Sequence, residues 1–111
     1  AISRDGGETW SELDVDRTLP SVACMGAVVK GPVKEDSSWN LYASFPSDLG
    51  RKNGRIAKST DNGQTWQIVK TIQGPFAYSA LQVSPDQNSL LCLYEDDNYK
   101  KETLVVIPLS E

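Results

Sequence analysis

The residues with chemical reach fall in four short segments. Ser44-Phe45-Pro46 is followed by Arg51-Lys52-Asn53-Gly54, then by Gly74-Pro75-Phe76-Ala77-Tyr78-Ser79-Ala80-Leu81, and then by Leu91-Cys92-Leu93-Tyr94-Glu95. An arginine presents a fixed fork of N–H donors that matches the two oxygens of a carboxylate. A tyrosine hydroxyl, with a pKa of about 10, is a poor nucleophile at neutral pH unless a neighbouring base removes its proton. The bland alternatives are a loop arginine in solvent, a strand tyrosine with its ring in the core and a strand glutamate facing water. The chain has no histidine, which excludes a Ser-His-Asp or Cys-His machine and removes the commonest metal ligand. Its two cysteines, Cys24 and Cys92, cannot make a disulfide scaffold or a four-ligand zinc site. Each lies in an apolar run and is read as a buried free thiol on a core strand. No metal site is expected.

The elements that must position these residues are short strands. Apolar runs near 12–15, 22–29, 39–44, 54–59, 65–71, 78–83, 90–95 and 103–108 alternate with turn-forming clusters, and no segment keeps a helical period. The turns are expected at Gly31-Pro32, Pro46-Ser47-Asp48, Asn53-Gly54, Pro85-Asp86-Gln87-Asn88 and Asp96-Asp97-Asn98. Such spacing implies an all-β sandwich, barrel or propeller. A repeat chooses among them: Ser3-Arg4-Asp5-Gly6-Gly7-Glu8-Thr9-Trp10 and Ser59-Thr60-Asp61-Asn62-Gly63-Gln64-Thr65-Trp66 share the pattern S-x-D-x-G-x-T-W, 56 residues apart. Roughly 40–50 residues is what a four-stranded propeller blade needs. In each copy the aspartate (Asp5, Asp61) can accept from backbone amides one or two residues on, and the glycine (Gly7, Gly63) can supply the reversal. The serine (Ser3, Ser59) can tie the turn to the entering strand, and the tryptophan (Trp10, Trp66) can pack back onto the hairpin.

Bulk properties narrow the partners. The net charge of −4 and pI near 4.7 argue against nucleic acid, whose phosphates attract a basic surface. No apolar run approaches the roughly 18 residues of a membrane span. Ala1-Ile2-Ser3 reads as the end of a strand feeding the first repeat.

The repeat resembles the Asp-box, a structural hairpin found in sialidases and other propeller families. The four segments, in this order and with Arg51 eight residues ahead of Ser59, resemble the C-terminal part of the exo-sialidase (neuraminidase) family. That family shows a serine-x-proline strand end, an arginine before an Asp-box, an AYS-x-L strand and an LYE strand further on. Cys24-Met25-Gly26 also matches its C-x-G-S strand, with Ala27 in place of the serine. The resemblance implies part of a six-bladed β-propeller: a blade end over 1–16, one complete blade over 22–71 and a partial blade over 78–108. The repeat hairpin would join the third and fourth strands of a blade.

It also implies roles. Sialic acid carries a carboxylate on its anomeric carbon and would repel a carboxylate nucleophile; a neutral phenol can approach, and sialidases are the tyrosine-nucleophile exception among glycosidases. By resemblance Tyr78 is that nucleophile, Arg51 is one of three arginines that clamp the substrate carboxylate, and Glu95 orients one of those arginines. The implied activity is retaining hydrolysis of terminal sialic acids from glycoconjugates, or trans-sialylation if a sugar accepts, with no cofactor. Alternatives are a sialidase-like carbohydrate-binding propeller without turnover and an Asp-box scaffold. The family's first arginine, its acid/base aspartate, its activating glutamate and its second triad arginine match no segment here, and Asp14, Asp16 and Glu35 are assigned nothing. The expected partners are a sialylated glycan and either the N-terminal part of the propeller or further copies of the chain. Family resemblance points to a secreted, surface or lysosomal setting.

Overall fold

A computed structural model describes residues 1–109. They contain seven strands and no helix: β1 (Ala27–Lys30), β2 (Leu41–Asp48), β3 (Lys52–Ser59), β4 (Gln67–Pro75), β5 (Ser79–Val83), β6 (Ser89–Asp96) and β7 (Lys101–Pro108). All pairings are antiparallel. The first four form one sheet in the order β1-β2-β3-β4, and the last three form a second in the order β5-β6-β7. Within each sheet the strands pair in chain order, as short hairpin connections dictate, and the chain passes from one sheet to the other between β4 and β5.

The two sheets face each other across the main core. Leu90, Cys92 and Tyr94 alternate along β6, so all three side chains point to one side. With Leu81 of β5 they meet Tyr42 of β2, Ile56 of β3 and the linker residue Phe76. Phe76 is fully buried and stacks on Tyr94 with ring centroids 4.5 Å apart. Its ring lies so close to Gly54 that a Cβ there would come within 2.2 Å of it. A buried hydrogen bond of 2.6 Å between the Ser44 and Ser79 hydroxyls also crosses the two sheets. The opposite face of the first sheet (Ala43, Phe45, Ala57) is covered by Leu19 and Trp66. Strand β2 is thus buried on both faces, whereas Leu93, Leu104 and Val106 on the outward face of the second sheet are exposed.

The expected strand near 12–15 does not form, and neither does one at residues 1–3. Leu13 and Val15 are open to solvent. The aspartates there bond locally instead: Asp14 accepts from the Val15 amide at 2.8 Å and Asp16 from the Thr18 amide at 2.9 Å. Such local bonds compete with sheet pairing, and no strand lies alongside to outweigh them. The run at 22–29 becomes regular only at Ala27, so Cys24 is half-buried outside any strand, while Cys92 is the buried strand thiol expected. Burial pushes the Cys92 thiol up to about 11. Two expected turns, Pro46-Ser47-Asp48 and Asn53-Gly54, lie inside β2 and β3. The chain reverses between them, where Gly50 (φ 82°) and Arg51 (φ 56°) are both left-handed.

The second repeat connects β3 to β4. Ser59 Oγ donates to Asp61 Oδ1 at 2.8 Å and accepts from the Gly63 amide at 2.9 Å. Asp61 accepts from both the amide and the hydroxyl of Thr65. The first repeat makes the same set with Ser3, Asp5, Gly7 and Thr9, and Trp10 Nε1 adds a bond to the Gly7 carbonyl at 3.1 Å. Each aspartate thus reaches four residues on, not the one or two expected, because the threonine closes the loop. These bonds favour the ionised carboxylate, led by the threonine hydroxyl, and hold Asp5 and Asp61 at about 2, below the ordinary 3.8.

Two predictions follow from this packing and bonding. Gly54→Ala destabilises the fold by about 1–3 kcal/mol through overpacking against Phe76, and Phe76→Leu on top of it costs less than the two single changes added together. Denaturant midpoints measure this; strict additivity would contradict the contact. Carboxyl NMR titration of Asp5 and Asp61 gives midpoints of about 2. Because the folded value lies below the unfolded one, their stabilisation is complete above pH 3.8 and disappears as pH falls towards 2. Midpoints at the ordinary value would contradict the hydrogen-bond network.

Candidate active site

Arg51, Tyr78 and Glu95 come from three parts of the chain: the β2–β3 turn, the linker into β5 and the end of β6. Backbone hydrogen bonds bring them together. The Phe76 amide donates to the Arg51 carbonyl at 2.9 Å, tying the turn to the linker. The Ala77 amide donates to the Glu95 carbonyl at 3.1 Å, and the Glu95 amide to the Tyr78 carbonyl at 3.0 Å. Tyr78 stands one residue before β5, outside the ladder, and the residue is 41% exposed rather than turned into the core.

The side chains converge on one end of the two sheets. The Arg51 guanidinium carbon lies over the Tyr78 ring, 5.3 Å from its centroid, within cation–π range. Its Nη1 donates to the hydroxyl of Tyr99 at 3.4 Å. That bond is the largest reason the guanidinium is held more firmly protonated than usual. The Glu95 carboxylate accepts from the Tyr78 amide at 3.2 Å, so here it braces the nucleophile candidate's backbone. Arg55, by contrast, lies within β3 and points along the sheet, donating to Ser47 Oγ at 3.0 Å and to Thr71 Oγ1.

The turn that carries Arg51 is itself supported. Ser47 Oγ donates to the Asn53 carbonyl at 2.9 Å, the Asn53 amide group donates to Asp48, and Asn53 Oδ1 accepts from the Gly74 amide at 3.1 Å. Three side chains that carry no obvious chemistry in the sequence thereby fix the position of one that does. Tyr99 was also invisible to sequence reading. It follows an Asp-Asp-Asn cluster that reads as a solvated turn, and only the left-handed backbone of that turn aims its ring at Arg51.

The cleft between these residues, lined by Arg51, Phe76, Ala77, Glu95, Asn98 and Tyr99, holds about 20 Å³. That is room for a single water and far below the roughly 300 Å³ of a small-molecule pocket. Within the chain itself, therefore, the arrangement offers one wall of a site: a phenol with a guanidinium above it, open on the far side. Among the described residues no group of three or more His, Cys, Asp or Glu side chains could hold a metal ion.

The BNR/Asp-box repeat family matches residues 1–12 and 57–67. A sialidase of Micromonospora viridifaciens is 33% identical over 92 residues, covering 78% of the chain and 14% of the relative. A sialidase of Bacteroides fragilis (strain YCH46) is 29% identical over 103 residues, covering 86% of the chain and 19% of the relative. No solved structure matches the chain. The repeats recur on an all-β frame that fits a propeller fragment. The chain belongs to the sialidase family with Asp-box repeats, as a segment spanning under a fifth of the length of the relatives it matches.

Proposed function

We propose that the chain is the C-terminal portion of a retaining exo-sialidase, built as part of a six-bladed propeller, that releases terminal sialic acids from glycoconjugates. The observation that carries this reading is the Arg51 guanidinium lying over a half-open Tyr78 ring. A sialoside has its carboxylate on the carbon that is attacked. A group that binds the carboxylate must therefore sit beside the group that attacks, and these two side chains do.

In this reading Arg51 takes the carboxylate on the N–H groups not used by Tyr99. Tyr78 Oη attacks the anomeric carbon and forms the bond as the aglycone oxygen departs with a proton. Water then attacks the same carbon and releases Tyr78, so two inversions give retention. Glu95 keeps Tyr78 in place through its amide. The base for Tyr78, the acid for the leaving group and the remaining arginines come from parts of the protein outside this segment. The apolar outward face of β5–β7 is where a further sheet packs, either from the same polypeptide or from another copy.

The test uses a fluorogenic sialoside and the longer protein that contains this segment. Tyr78→Phe removes the nucleophilic oxygen and lowers kcat by at least about 10³-fold, the scale on which covalent nucleophiles act. Arg51→Lys keeps the charge but loses the fork, and raises KM about tenfold or more. The isolated segment is inactive. Strong turnover by the segment alone that survives Tyr78→Phe would refute the assignment; binding of sialic acid without turnover would point to the carbohydrate-binding alternative.

A further inference from the structure

We propose that Tyr99 is a positioning residue: its phenol oxygen holds the Arg51 guanidinium over the Tyr78 ring in the pose that receives a ligand carboxylate. This rests on the sialidase reading above and assigns a role to a residue outside its motifs. Arginine is long and rotamer-rich, and Arg51 stands half-buried on a tight turn. Left alone it would sample many poses and lose that freedom on binding. Two groups restrain it. The Tyr78 ring lies 5.3 Å below the guanidinium carbon, and Tyr99 Oη accepts from Nη1 at 3.4 Å. The first sets the height of the fork, the second its rotation about the side-chain axis. Only one donor is used, so the rest of the fork stays free for two carboxylate oxygens.

The way Tyr99 is presented supports the role. Asp97, Asn98 and Tyr99 are consecutively left-handed, with φ of 48°, 53° and 69°. A tyrosine in that region is uncommon, and such strain persists only where the surroundings over-determine it. Here Asp96 accepts from the Asp97 amide at 2.6 Å and from Thr103 Oγ1 at 2.8 Å, and the Lys100 amide closes the turn on the Asp97 carbonyl at 3.2 Å. A turn that only linked β6 to β7 would place glycine or asparagine at the third position. The large ring at Tyr99 instead reaches across to the β2–β3 turn, lining the same cleft as Arg51 and Glu95.

The test measures Tyr99→Phe in the longer protein, because this change keeps the ring and removes the acceptor. Calorimetry with free sialic acid gives a Kd raised about five- to tenfold, the worth of one ordinary exposed hydrogen bond. With a fluorogenic sialoside KM rises by a similar factor while kcat stays within about twofold. Tyr99→Gln, which restores an acceptor oxygen, recovers part of the affinity. An unchanged Kd for Tyr99→Phe at an unchanged melting temperature would overturn the proposal, as would a loss confined to kcat. If the parent protein binds sialic acid but does not turn over the sialoside, the enzymatic reading fails and the Kd comparison still decides the role of Tyr99. If it binds no sialic acid at all, both fail.

Discussion

Phe76 is the constraint on which the site depends. Its ring fills the seam between the two sheets, pressed on the bare backbone of Gly54 and stacked on Tyr94. Its amide holds the Arg51 carbonyl. Two residues later the chain reaches Tyr78, and one residue past Tyr94 it reaches Glu95. Fixing one buried ring therefore fixes three surface side chains. A close-packed interior transmits position in this way because it cannot deform by small amounts without losing contacts. The hydrophobic effect supplies the driving force, and the outcome is a stable distance between a guanidinium and a phenol at the surface.

The Asp-box has a different place in the design. Among the described residues its aspartates are the carboxylates held furthest below their ordinary value, and a strongly shifted titrating group often marks a functional site. Here the cause is wholly local. A serine and a threonine donate to the carboxylate within one hairpin, twice, with the same geometry, and the second hairpin lies at the end of β3 opposite the turn that holds Arg51. The shift is a by-product of a self-contained loop. What the box does for the site is indirect: it closes β3 on β4, and Thr18 and Leu19 from the preceding segment dock beside it against the sheet.

Much of this was legible in the sequence, for identifiable reasons. Seven of the eight strands expected from the sequence form, because apolar residues alternate within them and turn formers bracket them. The exception, near 12–15, has the right residue types but no neighbour to pair with, and pairing is not a local property. Asn53-Gly54 reads as a turn because that dipeptide usually is one; here glycine is needed because Phe76 occupies the space a side chain would take. Tyr78, Arg51 and Glu95 could be singled out because they sit in recognisable motifs, and the structure brings them to one end of the sheets. The brace of Arg51 by Tyr99 could not be read, since it depends on three consecutive left-handed residues in a stretch that looks like ordinary solvated turn.

In the proposed mechanism a phenol oxygen at position 78 bonds covalently to a sugar whose carboxylate rests on Arg51. The most direct measurement is trapping with a 3-fluoro-sialosyl fluoride, in which the ring fluorine slows breakdown of the intermediate more than its formation. After incubation with the longer protein and proteolysis, mass spectrometry should find one sugar adduct, on the peptide containing Tyr78, with fragmentation placing it on that ring. An adduct on an aspartate or glutamate, or none in a protein that turns over sialosides, would rule out Tyr78 as the nucleophile.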